Sequence, residues 1–169
     1  MQTQLCAFCL KSGMLCSKCQ QKVKSGTVSS DYIEIAKKLL SYENQNPFLQ
    51  TVTLENVIDV GGFLVLIVAK GDAAKFNANL RLARDFGDSI NKRVLVIETG
   101  MNDRKFLEDL FSTQQIITIN IIWLPDGSTE TRVVLGARGA RRLSKKRIQA
   151  LTDIAKKVIK MDLRVEYVY

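Results

Sequence analysis

A chain of 169 residues with 46% hydrophobic and 25% charged side chains has enough apolar material for small globular cores and too little bias for a disordered or fibrous protein. Its longest apolar run, residues 63–69, is far short of the ~20 residues a membrane-crossing helix needs. The start, Met1-Gln2-Thr3-Gln4-Leu5-Cys6, has neither the basic nor the apolar segment of a secretion signal, so a cytoplasmic protein with no membrane partner is expected. Histidine is absent, which removes Ser–His and Cys–His nucleophiles and every His-ligated metal centre. No carboxylate pair or nucleophile–base set stands out, and a non-catalytic protein is expected.

All four cysteines fall at the start, as Cys6-x2-Cys9 and Cys16-x2-Cys19. Two such turns can place four thiolates on one ion, the closed tetrahedral shell of structural zinc. The spacer between them is short, but Lys11-Ser12-Gly13 supplies a turn. Residues 1–24 are therefore expected to form a four-cysteine zinc-binding module with Zn²⁺ as cofactor, structural first and partner-docking second, and folded by its metal. Lys11, Lys18, Lys22 and Lys24 lie close enough in sequence to offset the negative charge of such a site. An iron–sulfur cluster uses the same ligands and stays open. A redox role lacks a thioredoxin-like context, and disulfides lack a secretory one.

Residues 22–30 read as a polar linker. Asp31 then opens an amphipathic helix, with Glu34 as its capping-box partner. Residues 51–60 and 63–69 are β-branched runs flanking Gly61-Gly62, a hairpin signal. A helix carrying Phe76, Leu80 and Ala83 on one side follows, and residues 93–98 form a strand. The order then recurs. Asn102 caps a helix with Phe106, Leu107, Leu110 and Phe111. Residues 115–123 and 131–135 are strands around the turn Leu124-Pro125-Asp126-Gly127-Ser128. Ser144 caps a helix over 145–160 with Ile148, Leu151, Ala155 and Val158 inward, and residues 163–169 are the last strand. Trp123 and Phe76 read as core or sheet-face residues. A displacement of 68 positions pairs Ala69-Lys70-Gly71 with Ala137-Arg138-Gly139 and Leu95 with Leu163, an internal duplication.

Charge separates the copies. Residues 132–160 hold ten basic residues and one acidic, Asp153, a net +9, while the rest of the chain is at −1. A field so concentrated attracts a polyanion. Gly136-Ala137-Arg138-Gly139 follows a strand and leads into the basic helix. Two glycines three apart let a sugar–phosphate backbone approach without Cβ clashes, which is the logic of the Gly-x-x-Gly loop of KH domains. The expected RNA-binding residues are Gly136, Arg138, Gly139, Arg141, Arg142, Lys145, Lys146 and Arg147. A register set by helix length instead puts the loop at Ser144-Lys145-Lys146-Arg147. In the first copy the counterpart is Val68-Ala69-Lys70-Gly71 or Lys75-Phe76-Asn77-Ala78, degenerate either way, with Asp72 expected to repel phosphate.

On the αββαβ order twice over, the stretch Lys70-Gly71-Asp72-Ala73 and the segment from Asn102 to Phe111, the sequence resembles the archaeal form of the NusA-like transcription elongation factors, built of two type II KH domains. The resemblance implies an α+β protein. In it the four-cysteine zinc knuckle precedes two tandem type II KH-like domains, a degenerate one over 31–99 and a basic one over 101–169. It implies a role in transcription elongation or termination, with nascent single-stranded RNA clamped by the second domain and RNA polymerase as a partner. The S1 and polymerase-binding domains of the bacterial proteins are not expected within these 169 residues. A ribosome-associated or ribosome-assembly protein on rRNA is the alternative expectation.

Overall fold

The protein's structure, a computed structural model, describes residues 1–137 and 141–169. It is a mixed α+β protein in two compact units, Met1–Gly100 and Met101–Tyr169, each with its own sheet. Among the described residues no helix is long and apolar enough to cross a membrane.

The first unit opens on a short strand β1 (Gln2–Thr3) and two short helices, α1 (Ala7–Ser12) and α2 (Ser17–Lys24). Helix α3 (Tyr32–Tyr42) leads through a 3₁₀ turn, Pro47–Thr51, into the hairpin of β2 (Thr53–Val60) and β3 (Phe63–Val68). Helices α4 (Ala73–Asn77) and α5 (Leu80–Ile90) then carry the chain over to β4 (Arg93–Glu98). The sheet order is β1-β2-β3-β4, with β2–β3 antiparallel and β3–β4 parallel. A parallel partner cannot be reached by a tight turn, so the crossover helices are obligatory.

The cysteine segment shares this unit's core. Leu5, Cys9, Leu10 and Cys19 belong to the same buried cluster as Tyr32, Leu39, Leu54 and Leu66. Tyr32, fully buried, ties the two parts together: its hydroxyl donates to the Leu54 carbonyl (2.6 Å) and accepts from the Gln4 N–H (2.9 Å). Burial pushes its phenol up to about 12, so it stays a neutral donor at neutral pH.

The second unit repeats the topology. Helix α6 (Asp103–Leu110) precedes β5 (Ile116–Trp123) and β6 (Thr129–Gly136), and α7 (Lys145–Ile159) precedes β7 (Leu163–Val168). The order is β5-β6-β7, with β6–β7 again the parallel pair. Even the irregularities recur. A register shift lies between Leu54 and Asn56 in one hairpin and between Ile116 and Thr118 in the other. The long helices end on Asn91 and Lys160, both left-handed at φ 53°. The 68-residue displacement is corrected by this register. Leu54 corresponds to Ile116, Val68 to Leu135 and Glu98 to Tyr167, because the hairpin connections and the loops before them differ in length. Leu95 therefore matches Arg164, not Leu163.

Other expectations change in detail. Asn102 and Ser144 do cap α6 and α7, accepting from the Lys105 N–H (2.8 Å) and the Arg147 N–H (3.3 Å). Asp31 is helical and makes no side-chain cap, so the capping box with Glu34 does not form. The helix expected through Phe76, Leu80 and Ala83 breaks at Ala78-Asn79, which reorients its second half. Phe76 stays buried, Leu80 is 65% exposed, and Leu82 and Phe86 take the core positions. In α7 the inward stripe is Ala150, Leu151, Ile154 and Ala155. Trp123 is not a core residue: on the edge strand β5 it stands 76% exposed, with Ile117 and Ile121 also open to solvent.

Replacing Tyr32 by Phe strands a buried carbonyl and a partly buried N–H without adding volume. Urea unfolding is expected to show a loss of about 1–3 kcal/mol; an unchanged midpoint would show that the hydroxyl does not join the cysteine segment to β2.

Candidate metal centre and cationic face

The two Cys-x2-Cys turns are built alike. Cys6 and Cys16 are extended residues immediately before α1 and α2, at φ −69° and −71°. Cys9 and Cys19 sit one turn inside, so each pair aims two sulfurs past a helix start. Gly13, left-handed at φ 77°, ends α1 and turns the chain back toward the second pair. The four Sγ atoms lie within 4.8 Å of one another, with Cys9 and Cys19 buried and Cys6 and Cys16 exposed.

The amides around them are reciprocal. The Cys6 N–H donates to Cys19 Sγ (3.4 Å) and the Cys16 N–H donates to Cys9 Sγ (3.2 Å), each turn serving the other's inner sulfur. N–H donors aimed at sulfur stabilise thiolate, the form a metal requires. The Cys19 amide and thiol lower Cys16 to about 7. At Cys9 the Cys16 amide works in the same direction, but the Cys6 thiol and desolvation outweigh it and push the group up to about 12. The donor set is thus four sulfurs, half buried and half open, that could hold one metal ion. Of the nearby lysines, Lys22 is committed to the backbone, its Nζ donating to the Gln4 carbonyl (2.6 Å).

The second feature lies at the end of the β6–β7 sheet. Gly136 is the last residue of β6, paired with Val168, and its N–H donates to the Gln115 carbonyl (2.8 Å). A Cβ there would stand 3.2 Å from Cδ1 of Ile117, the residue at the hairpin's register shift, which would have to give by a few tenths of an ångström. Arg138 and Gly139 lie outside the described residues. In unit one the matching stretch carries α4; residues 141–144 are non-helical.

Those residues are nonetheless anchored. Gln114 Nε2 donates to the Arg141 carbonyl (3.1 Å), and the Leu143 N–H donates to the Tyr167 hydroxyl (3.0 Å). That hydroxyl donates in turn to Gln114 Oε1 (3.2 Å). The Arg142 guanidinium lies over two rings, 5.3 Å from the centroid of Tyr167 and 4.8 Å from that of Tyr169. Sequence reasoning missed both tyrosines. The signal was their spacing, because residues two apart on a strand share a face.

The basic residues of 132–160 differ in their surroundings, and Lys157 and Lys160, exposed and without an ion pair among the described residues, lie at the far end of α7. Arg132 is paired: its Nε (2.9 Å) and Nη2 both donate to Glu166, whose carboxyl is held below its usual range chiefly by that bond and further by Arg164. Lys156 pairs with Asp162 at 3.0 Å. Arg141, Arg142, Lys145 and Lys146 are exposed and make no ion pair among the described residues. Arg147, beside them, is half-buried. The first turn of α7 contains no acidic residue, so its free N–H groups add to the positive field. In unit one Asp72 is not a free repelling charge. It is buried, accepts from the Thr53 N–H (2.8 Å) and pairs with Lys75 at 2.7 Å.

No family model matches this chain, and no curated protein matches it. Among solved structures it is similar to one titled "Crystal structure of APE1850", at 18% identity and a TM-score of 0.46 over 76% of this chain and 96% of that one.

In metal-free protein near pH 7, iodoacetamide is expected to alkylate Cys16 first and Cys9 last, since Cys16 titrates at about 7 and Cys9 at about 12. Lowering the pH through 7 removes thiolate from Cys16 and slows its labelling. One equivalent of bound divalent metal protects all four. Peptide mapping by mass spectrometry reads the order; equal rates at Cys9 and Cys16, or no protection by metal, would contradict this geometry.

Proposed function

We propose that this is a non-catalytic, zinc-containing RNA-binding protein in which the second unit, a type II KH-like module, holds single-stranded RNA at the start of α7. The observation that carries the reading is the set of exposed, unpaired cations Arg141, Arg142, Lys145 and Lys146, gathered where a helix N-terminus meets the ends of two parallel strands. Arginine forks and backbone N–H groups suit phosphate oxygens, and ligands of open α/β sheets sit beyond the carboxyl ends of parallel strands. The second unit has the αββαβ order and the first has it with the crossover helix divided into α4 and α5; this resembles the order of the KH pair in the NusA-like factors. A role on nascent transcript in elongation or termination follows from that resemblance, and the charge of Arg138 adds to the same basic stretch of sequence.

The cysteine cluster supports the fold rather than the chemistry. Four thiolates are the donor set of structural zinc, and the site shares the core of unit one, so the ion would stabilise that unit. Cys6, Cys9, Cys16 and Cys19 would be its ligands.

Fluorescence anisotropy with a labelled single-stranded RNA tests the reading. Four phosphate contacts on a single strand give a log–log salt slope of about −3, or about a 50-fold loss between 50 and 200 mM salt. Changing Arg141, Arg142, Lys145 and Lys146 together to Gln should abolish measurable binding and leave the thermal midpoint within a few degrees. A salt-independent affinity, or full binding by that variant, would refute the proposal.

A further inference from the structure

The geometry points to a base-stacking platform made by Tyr169, Arg142 and Tyr167 beside the phosphate-binding cations, and we infer that it receives one base of the bound single strand. The inference deepens the reading above and rests on it. A phosphate clamp needs only charge, yet this end of the sheet also holds two aromatic rings.

Tyr167 is fixed on both sides of its hydroxyl, accepting from the Leu143 N–H and donating to Gln114, so its ring is pre-set rather than free. The backbone of Arg141 is held by the same glutamine. This frame sets Arg142 above both rings at 5.3 and 4.8 Å, in the range of a cation–π contact. Tyr169 is 91% exposed. An exposed ring braced by a guanidinium offers a flat, open π-surface. Arg142, Lys145 and Lys146, exposed and without described carboxylate partners, place the negative backbone of a strand nearby. A nucleotide brings a flat π-face and a phosphate together. Stacking of this kind tolerates sequence, because every base has such a face.

Binding of a labelled single-stranded RNA by the 169-residue chain is compared for wild type, Tyr169→Ala and Tyr169→Phe, each across a salt series. A matching strand with abasic positions serves as the second probe. Tyr169→Ala should weaken binding by about tenfold, the scale of one base stack. Tyr169→Phe should bind like wild type. The salt slope should be the same in all three, because no charge is lost. Wild type should lose a similar factor on the abasic strand, where Tyr169→Ala loses nothing further. Equal binding by wild type and Tyr169→Ala, or a loss accompanied by a shallower salt slope, would overturn the platform while leaving the phosphate clamp intact. No binding of either probe by wild type would overturn the clamp, and the platform with it.

Discussion

Parallel pairing between the second hairpin strand and the strand after the long helix governs both units. β3 with β4 and β6 with β7 run the same way, so the chain must cross over before it can pair. That crossover lays an amphipathic helix on the sheet and buries its inward stripe. It also forces one more outcome: the connection leaving the central strand, the start of the helix and the end of the last strand all gather at one end of the sheet. In the second unit those three places are occupied by Arg141 and Arg142, by Lys145 and Lys146, and by Tyr167 and Tyr169. Residues scattered over thirty positions of sequence become neighbours because one strand pair is parallel.

The same topology is used differently in the two copies. In the first, the crossover begins with α4, and Asp72 is turned inward to hold the Thr53 N–H and the Lys75 ammonium. A carboxylate bonded to backbone and lysine secures that sheet end. In the second copy Glu166 is taken up by Arg132 and Arg164, and Asp162, at the far end of the sheet, by Lys156. The exposed cations at the helix start are left uncompensated. Charge separation along the chain thus falls between the units: two of the four cysteines join the core of the first, and the second carries the exposed cations of 141–146.

Much of this was legible in the sequence. The β-branched runs around Gly61-Gly62 and around Asp126-Gly127 gave strands within one or two residues, and Asn102 and Ser144 cap as their side-chain chemistry requires. The spacing of the four cysteines sufficed to bring their sulfurs together. What failed depended on tertiary context. Nothing local marks the break at Ala78-Asn79 that turns Leu80 outward, and a tryptophan in a β-branched run reads as core unless the strand is known to be an edge. Gly136, read in the sequence as the first glycine of Gly-x-x-Gly, is the last residue of β6, and its partner Gly139 lies outside the described residues. Arg142 over two tyrosines needed the strand's end to be placed before it could be seen.

The central claim is that the cations left free at the start of α7 exist to hold a polynucleotide. Amide chemical-shift mapping by NMR, with single-stranded RNA titrated into the whole protein, examines it residue by residue. The largest changes should fall on residues 141–147 and on Tyr167 to Tyr169, with the cysteine segment unmoved. Changes centred on unit one, or none at saturating RNA, would contradict it.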